Sequence, residues 1–155
     1  MDPKGRVILP APLREGFDGR AYVSCYTDGC VAVWTLEEFE RRYVARARRL
    51  DRRGREGRAI ARAMASQAWY VDIDAQWRIL VGPSLRDYAK VQPDTRLKIV
   101  GAINHIELWE PERWKDRVEP GLSLLRSGSG IFEEEEEEDD FDEQLAPAGA
   151  SGATA

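Results

Sequence analysis

The chain writes one short pattern twice, about 72 residues apart, and that duplication restricts its possible folds more than any other feature. The first copy reads MDPKGRVILPAPLRE, with Asp2, Arg6, Leu13 and Arg14 in frame. The second reads DAQWRILVGPSLRDY, with Asp74, Arg78, Leu85 and Arg86 in frame. Each is D-x-x-x-R, three apolar residues, a proline-containing turn and then Leu-Arg. Further on, VAVWTLEEFERRY from Val31 resembles IELWEPERWKDRV from Ile106 at an offset of about 75. A duplicated unit offers two similar surfaces. At 155 residues the chain suits one compact domain, or two small halves fused through a shared core.

Short β-branched or alternating runs predict strands at Arg6 to Leu9, Ala21 to Tyr26 and Cys30 to Trp34, with Asp28 and Gly29 supplying a hairpin turn. Thr35 and Glu38 have capping-box spacing, and Leu36, Phe39, Tyr43, Ala47 and Leu50 recur at helical intervals, which predicts a helix that the glycines of RRGREG then break. Helical character resumes from Arg58 to Ala68. Strands follow at Trp69 to Ile73, Trp77 to Val81, Arg96 to Val100 and His105 to Trp109, and Pro111 opens a closing helix with Trp114 as a buried anchor. The second half therefore has one strand more than the first. Its counterpart would precede Asp2, so the expectation is a start further upstream, or a missing strand that leaves a sheet edge open.

The net charge of -5 conceals a division. Ten acidic residues and no basic ones lie between Glu133 and Glu143, while all 23 Lys and Arg lie in the first 130 residues against the remaining 18 acids. The foldable part is thus basic by about five charges. From about Ser127 the composition turns to Ser/Gly, then acidic, then Ala/Pro/Gly/Ser, and disorder is expected there. The acidic run reads as a solvated, self-repelling tail or as a nucleic-acid mimic that competes for the basic face. No window approaches the roughly 18 apolar residues of a spanning helix, and no secretory signal opens the chain, so a cytoplasmic protein with no membrane partner is expected.

Chemistry concentrates on Arg6 and Arg78. Each follows an Asp by four positions and starts a strand at a turn, where the Asp can fix a guanidinium fork for phosphate or a guanine edge. The plainer alternative is that each pair merely closes its own turn. Ten arginines between Arg41 and Arg62 suggest phosphate contact or subunit packing, but the interspersed acids also fit a solvated helix laced with ion pairs. Cys25, Cys30 and His105 lack the second ligand cluster of a metal site, and the cysteines read as reduced thiols. With no P-loop, G-x-S-x-G, H-E-x-x-H or converging base, neither an enzyme nor a cofactor or small-molecule substrate is expected. The five tryptophans read mainly as core, although Trp77 sits inside the second turn.

On DPKGR and DAQWR, on RVILPAPLR and RILVGPSLRDYA, and on the paired VAVW and IELW, the chain resembles the MraZ family of bacterial transcriptional regulators from about Asp2 to Val118. The resemblance implies an α+β, mainly β fold: a tandem-repeat swapped-hairpin β-barrel of the AbrB/SpoVT type with flanking helices and a disordered acidic C-terminal tail. Repeats are expected at 1–68 and 69–126, with the tail at 127–155. It further implies a ring-like homo-oligomer that binds repeated G-rich promoter boxes in double-stranded DNA of the division and cell-wall gene cluster. It assigns DNA binding to Arg6, Arg78, Lys4, Arg14 and Arg86, and turn support to Asp2 and Asp74. Arg14 and Arg86 suit a structural role equally. This chain departs from the family pattern in lacking the leading strand, in Trp77 where glycine is usual, and in Gly82-Pro83, which shifts the second proline by one. Trp77 tolerates positive φ less well than Gly5 and is expected to re-aim Arg78 and weaken the second site. The rival reading is an oligomeric protein-interaction module or antitoxin-like scaffold without specific DNA binding.

Overall fold

Strands of the two repeats interleave rather than forming separate sheets. The computed structural model describes residues 1–128. Strands β1 (Arg6–Ile8), β2 (Arg20–Tyr26), β3 (Cys30–Trp34), β4 (Ala68–Asp72), β5 (Arg78–Leu80), β6 (Lys98–Gly101) and β7 (Ile106–Trp109) form two antiparallel sheets. One is the ribbon β1-β5; the other has the order β4-β2-β3-β7-β6, with β4 and β6 at its edges. Thus β1 pairs with β5, β2 with β4 and β3 with β7, each time joining one repeat to the other. The fold is α+β, a small swapped-hairpin barrel with flanking helices.

The interior follows from strand alternation. Val7 and Leu9 from the first repeat and Ile79 and Val81 from the second meet Ala21, Val23, Val31, Val33, Ile106 and Leu108 of the larger sheet. On the sheet's opposite face Ala32, Trp34, Phe39 and Tyr43 form a second cluster beneath the helices. Strand β3, covered on both faces, is buried at all five residues. Ser24 on β2, polar and fully buried, is satisfied by the Trp34 indole, which donates to its Oγ at 3.0 Å.

Thr35 caps α1 (Leu36–Glu38) by accepting from the Glu38 amide at 3.3 Å. The Glu38 carboxylate turns instead to Arg41 and Arg42, so the capping box is half made. The helix continues as a π-helical stretch, Phe39–Val44, and as α2 (Ala45–Asp51). The break that follows lies at Arg52 and Arg53, and α3 (Gly54–Ser66) begins at Gly54, four residues earlier than the sequence suggested. Gly57 is a packing residue inside that helix and no breaker: a Cβ there would lie 2.1 Å from the Leu50 carbonyl oxygen. Between β2 and β3 the turn is three residues long, with Asp28 and Gly29 both at positive φ.

Two further elements differ from expectation. Residues Pro83–Ala89 form a helix, α4, where only a turn was foreseen; Pro83 occupies its first turn, Leu85 and Ala89 are its buried positions, and Lys90 closes it in the left-handed conformation. Trp114, on α5 (Pro111–Ser127), is half-buried rather than an interior anchor, and its ring tilts against Trp109 at 5.7 Å. Met1–Arg117 make one compact unit; Val118 starts a second, in which Arg126 pairs with Glu119 at 2.8 Å. Helix α5 runs through Ser127, where disorder was expected to begin. The acidic run and the rest of the expected tail lie outside the described residues.

Candidate nucleic-acid interface

Each D-x-x-x-R segment folds into the same closed turn. In the first, the Asp2 carboxylate accepts from the Lys4 amide at 2.9 Å, the Arg6 amide at 2.8 Å and Arg6 Nε at 2.7 Å. In the second, Asp74 accepts from Gln76, Arg78 and Arg78 Nε at 2.9, 2.9 and 2.7 Å. Backbone bonds close both loops, from the Gly5 amide to the Asp2 carbonyl at 3.0 Å and from the Trp77 amide to the Asp74 carbonyl at 2.9 Å. The arginine amide, then its side chain and the amide of Lys4 or Gln76, hold Asp2 and Asp74 below the ordinary aspartate range, and partial desolvation opposes this.

Because each Asp engages only Nε, both terminal Nη groups of Arg6 and Arg78 are left without a hydrogen-bond partner among the described residues. An arginine fixed at Nε and open at its end can present two parallel donors, the arrangement that fits guanine O6 and N7 or a phosphate. The Lys4 side chain, exposed on the first turn, has no ion-pair partner among the described residues.

Trp77 adopts φ +59°, the left-handed region foreseen to be difficult for it, where Gly5 adopts +80°. The bracing of Arg78 is nonetheless the same as that of Arg6: the Asp–Arg distances of the two turns agree within 0.1 Å. The strain is held in place by neighbours. The Trp77 carbonyl accepts from the Leu9 amide at 2.8 Å, and the Arg14 guanidinium lies over the indole at 5.0 Å.

Arg14 and Arg86 thus sit beneath the turns, each serving the other repeat. Arg14 donates from Nε to the Leu9 carbonyl at 2.9 Å and faces the second turn through Trp77. Arg86 lies against the first turn, its Nη1 3.0 Å from where a Gly5 Cβ would stand; its Nε is buried without a hydrogen-bond partner. This crossed support carries no signal in either repeat alone, since it joins residues some 63 to 81 positions apart.

Other residues singled out earlier fall elsewhere. Cys25 and Cys30 are free thiols, and burial pushes the Cys30 thiol far up. His105 stacks on Trp34 at 4.4 Å and bonds Glu107 at 3.0 Å, inside the aromatic cluster. Among the described residues no group of three or more His, Cys, Asp or Glu could hold a metal ion, and no helix is long and apolar enough to cross a membrane. In the arginine-rich helices, Arg41, Arg42 and Arg48 are ion-paired, whereas Arg49, Arg52, Arg55, Arg58 and Arg62 are exposed with no ion pair among the described residues. Ion pairing therefore explains part of that pattern.

A family model described as "MraZ protein, putative antitoxin-like" matches residues 1–63 and again 64–123. A protein of Symbiobacterium thermophilum named transcriptional regulator MraZ is 40% identical over 124 residues, 80% of this chain and 88% of the relative. The protein of that name from Heliobacterium modesticaldum is 38% identical, covering 74% and 78% of the two chains. A third, from Desulfosudis oleivorans, is 27% identical across 96% and 93%.

Proposed function

From the chain's membership of the MraZ family, which the paired family match and the relatives establish, we propose that it is a transcriptional regulator that binds double-stranded DNA in a sequence-specific manner. The observation that carries the reading is the matched pair of turns: two guanidinium groups are braced identically at Nε and open at their ends, on adjacent strands of one ribbon. A two-stranded ribbon fits the major groove of B-DNA, and arginine at guanine O6 and N7 is the commonest specific base contact. Arg6 and Arg78 read bases in this account. Lys4 holds phosphate, Asp2 and Asp74 set the fork, and Arg14 and Arg86 support the turns from beneath.

One ribbon makes few base contacts, so specificity is multiplied by assembly. Several protomers, arranged as a ring-like homo-oligomer, engage repeated G-rich boxes in the promoter of the division and cell-wall gene cluster. The two repeats divide between 1–68 and 69–126. The protein works in the cytoplasm, on the nucleoid, without cofactor.

The test is fluorescence anisotropy across a salt series, with a duplex from the DNA upstream of the protein's own coding sequence and a scrambled duplex of equal composition. Preference for the native duplex, with log affinity falling against log salt at a slope near -0.9 per phosphate contacted, is the expected result. Equal binding to both duplexes at every salt concentration would favour the interaction-module reading, to which the antitoxin-like wording of the family description also points.

A further inference from the structure

Ile8 and Leu80 are exposed at 57% and 51%, although each belongs to a run of three apolar residues whose other members are buried. They are equivalent positions of the two repeats, two residues after Arg6 and Arg78. Val7 and Ile79 between them point into the core, so alternation turns Arg6, Ile8, Arg78 and Leu80 to the outer face of the ribbon. The register sets Arg6 opposite Leu80 and Ile8 opposite Arg78. The result is a two-by-two checkerboard of cations and branched alkyl chains, a composition that a solvent-facing strand does not need for folding.

We infer that Ile8 and Leu80 are specificity-determining residues that read thymine C5-methyl groups in the major groove, beside the guanines read by Arg6 and Arg78. This rests on the DNA-binding reading above and adds to it a second kind of base. The thymine methyl is the apolar group displayed in that groove, and aliphatic side chains recognise it by contact. Residues i and i+2 of a strand are roughly 6.7 Å apart, close to two base-pair steps of about 3.4 Å. Charge selects the occupant. Asp2 and Asp74 offset Arg6 and Arg78 at Nε, yet the Nη donors of both arginines stay open beside the two alkyl chains, and Lys4 is an exposed cation on the first turn. The face therefore suits an anionic partner with apolar points better than an apolar protein surface.

The experiment starts from a duplex selected by the wild-type protein out of a random pool. It is resynthesised with deoxyuridine at each thymidine in turn, which removes one methyl and keeps base pairing. Wild type, Ile8→Ala, Leu80→Ala and Arg6→Ala are titrated with this set at one salt concentration, and their assembly is measured by light scattering. At one or more positions deoxyuridine should weaken wild type about fourfold, the worth of one methyl removed from water. Ile8→Ala or Leu80→Ala should bind the two forms equally at that position while still preferring the selected duplex to a scrambled one. Variants as sensitive to deoxyuridine as wild type, a wild type indifferent to every substitution, or a footprint free of thymine would overturn the inference. So would loss of assembly with the methyl response retained, which would assign the two residues to contacts between copies. Arg6→Ala binding as tightly as wild type would sink the underlying DNA reading instead, so the two failures are separable.

Discussion

At the scale of single residues, Trp77 shows how a duplicated turn absorbs an unfavourable substitution. A non-glycine residue in the left-handed region costs roughly 1–2 kcal/mol. The Arg14 cation–π contact returns about 0.5–1 kcal/mol, and glycine in its place would add unfolded-state entropy of about the same size. Trp77→Gly should therefore move stability by no more than about 1 kcal/mol and leave DNA affinity nearly unchanged, as thermal denaturation and anisotropy would show. The two turn aspartates set the acid limit. Their native-state affinity for protons is lowered, so the stabilisation they provide is complete above the unfolded aspartate value of about 3.9 and is lost as pH falls through the lower folded value. Binding should thus show no loss attributable to them from neutral pH down to about pH 5. Asp2→Asn together with Asp74→Asn should weaken binding even at neutral pH, because neither amide carries the charge that braces Nε. The D-x-x-x-R spacing made these pairs legible in the sequence. The outward aim of Ile8 and Leu80 was not legible, since three consecutive apolar residues hide which one faces water.

At the scale of elements, the helical hairpin α2–α3 depends on one missing side chain. Gly57→Ala would gain roughly 1 kcal/mol of helix propensity, but the new Cβ would meet the Leu50 carbonyl oxygen at 2.1 Å and Arg53 Cβ at 2.9 Å. Backbone cannot yield as a flexible side chain does, so the clash should win and destabilise the protein by about 1–3 kcal/mol, read as a lower denaturation midpoint. Unchanged stability would mean that the two helices can separate at little cost. Strand positions were readable because β2, β3 and β7 are rich in β-branched and aromatic residues. Helix α4 was not, since seven residues with two buried positions give too short a period. Gly57 was misread for a different reason: a glycine that permits close helix contact and one that ends a helix look alike in sequence.

For the whole molecule, the larger sheet separates two basic features. The ribbon packs over the face that carries Val23 and Val33, and the helices cover the face that carries Ala32 and Trp34. The exposed arginines of α2 and α3 therefore belong to the side away from Arg6 and Arg78. The interleaved sheet order follows from the duplication only once the partners of each strand are known, and sequence spacing alone does not supply them. What duplication does convey is that the two halves are equivalent. The most direct test of that equivalence is the affinity of Arg6→Ala and Arg78→Ala, separately and together, for a native target duplex at fixed salt. The expected result is a similar loss for each single variant, about 1–3 kcal/mol per base contact, with the double variant close to binding scrambled DNA. Wild-type affinity in either single variant would contradict the account.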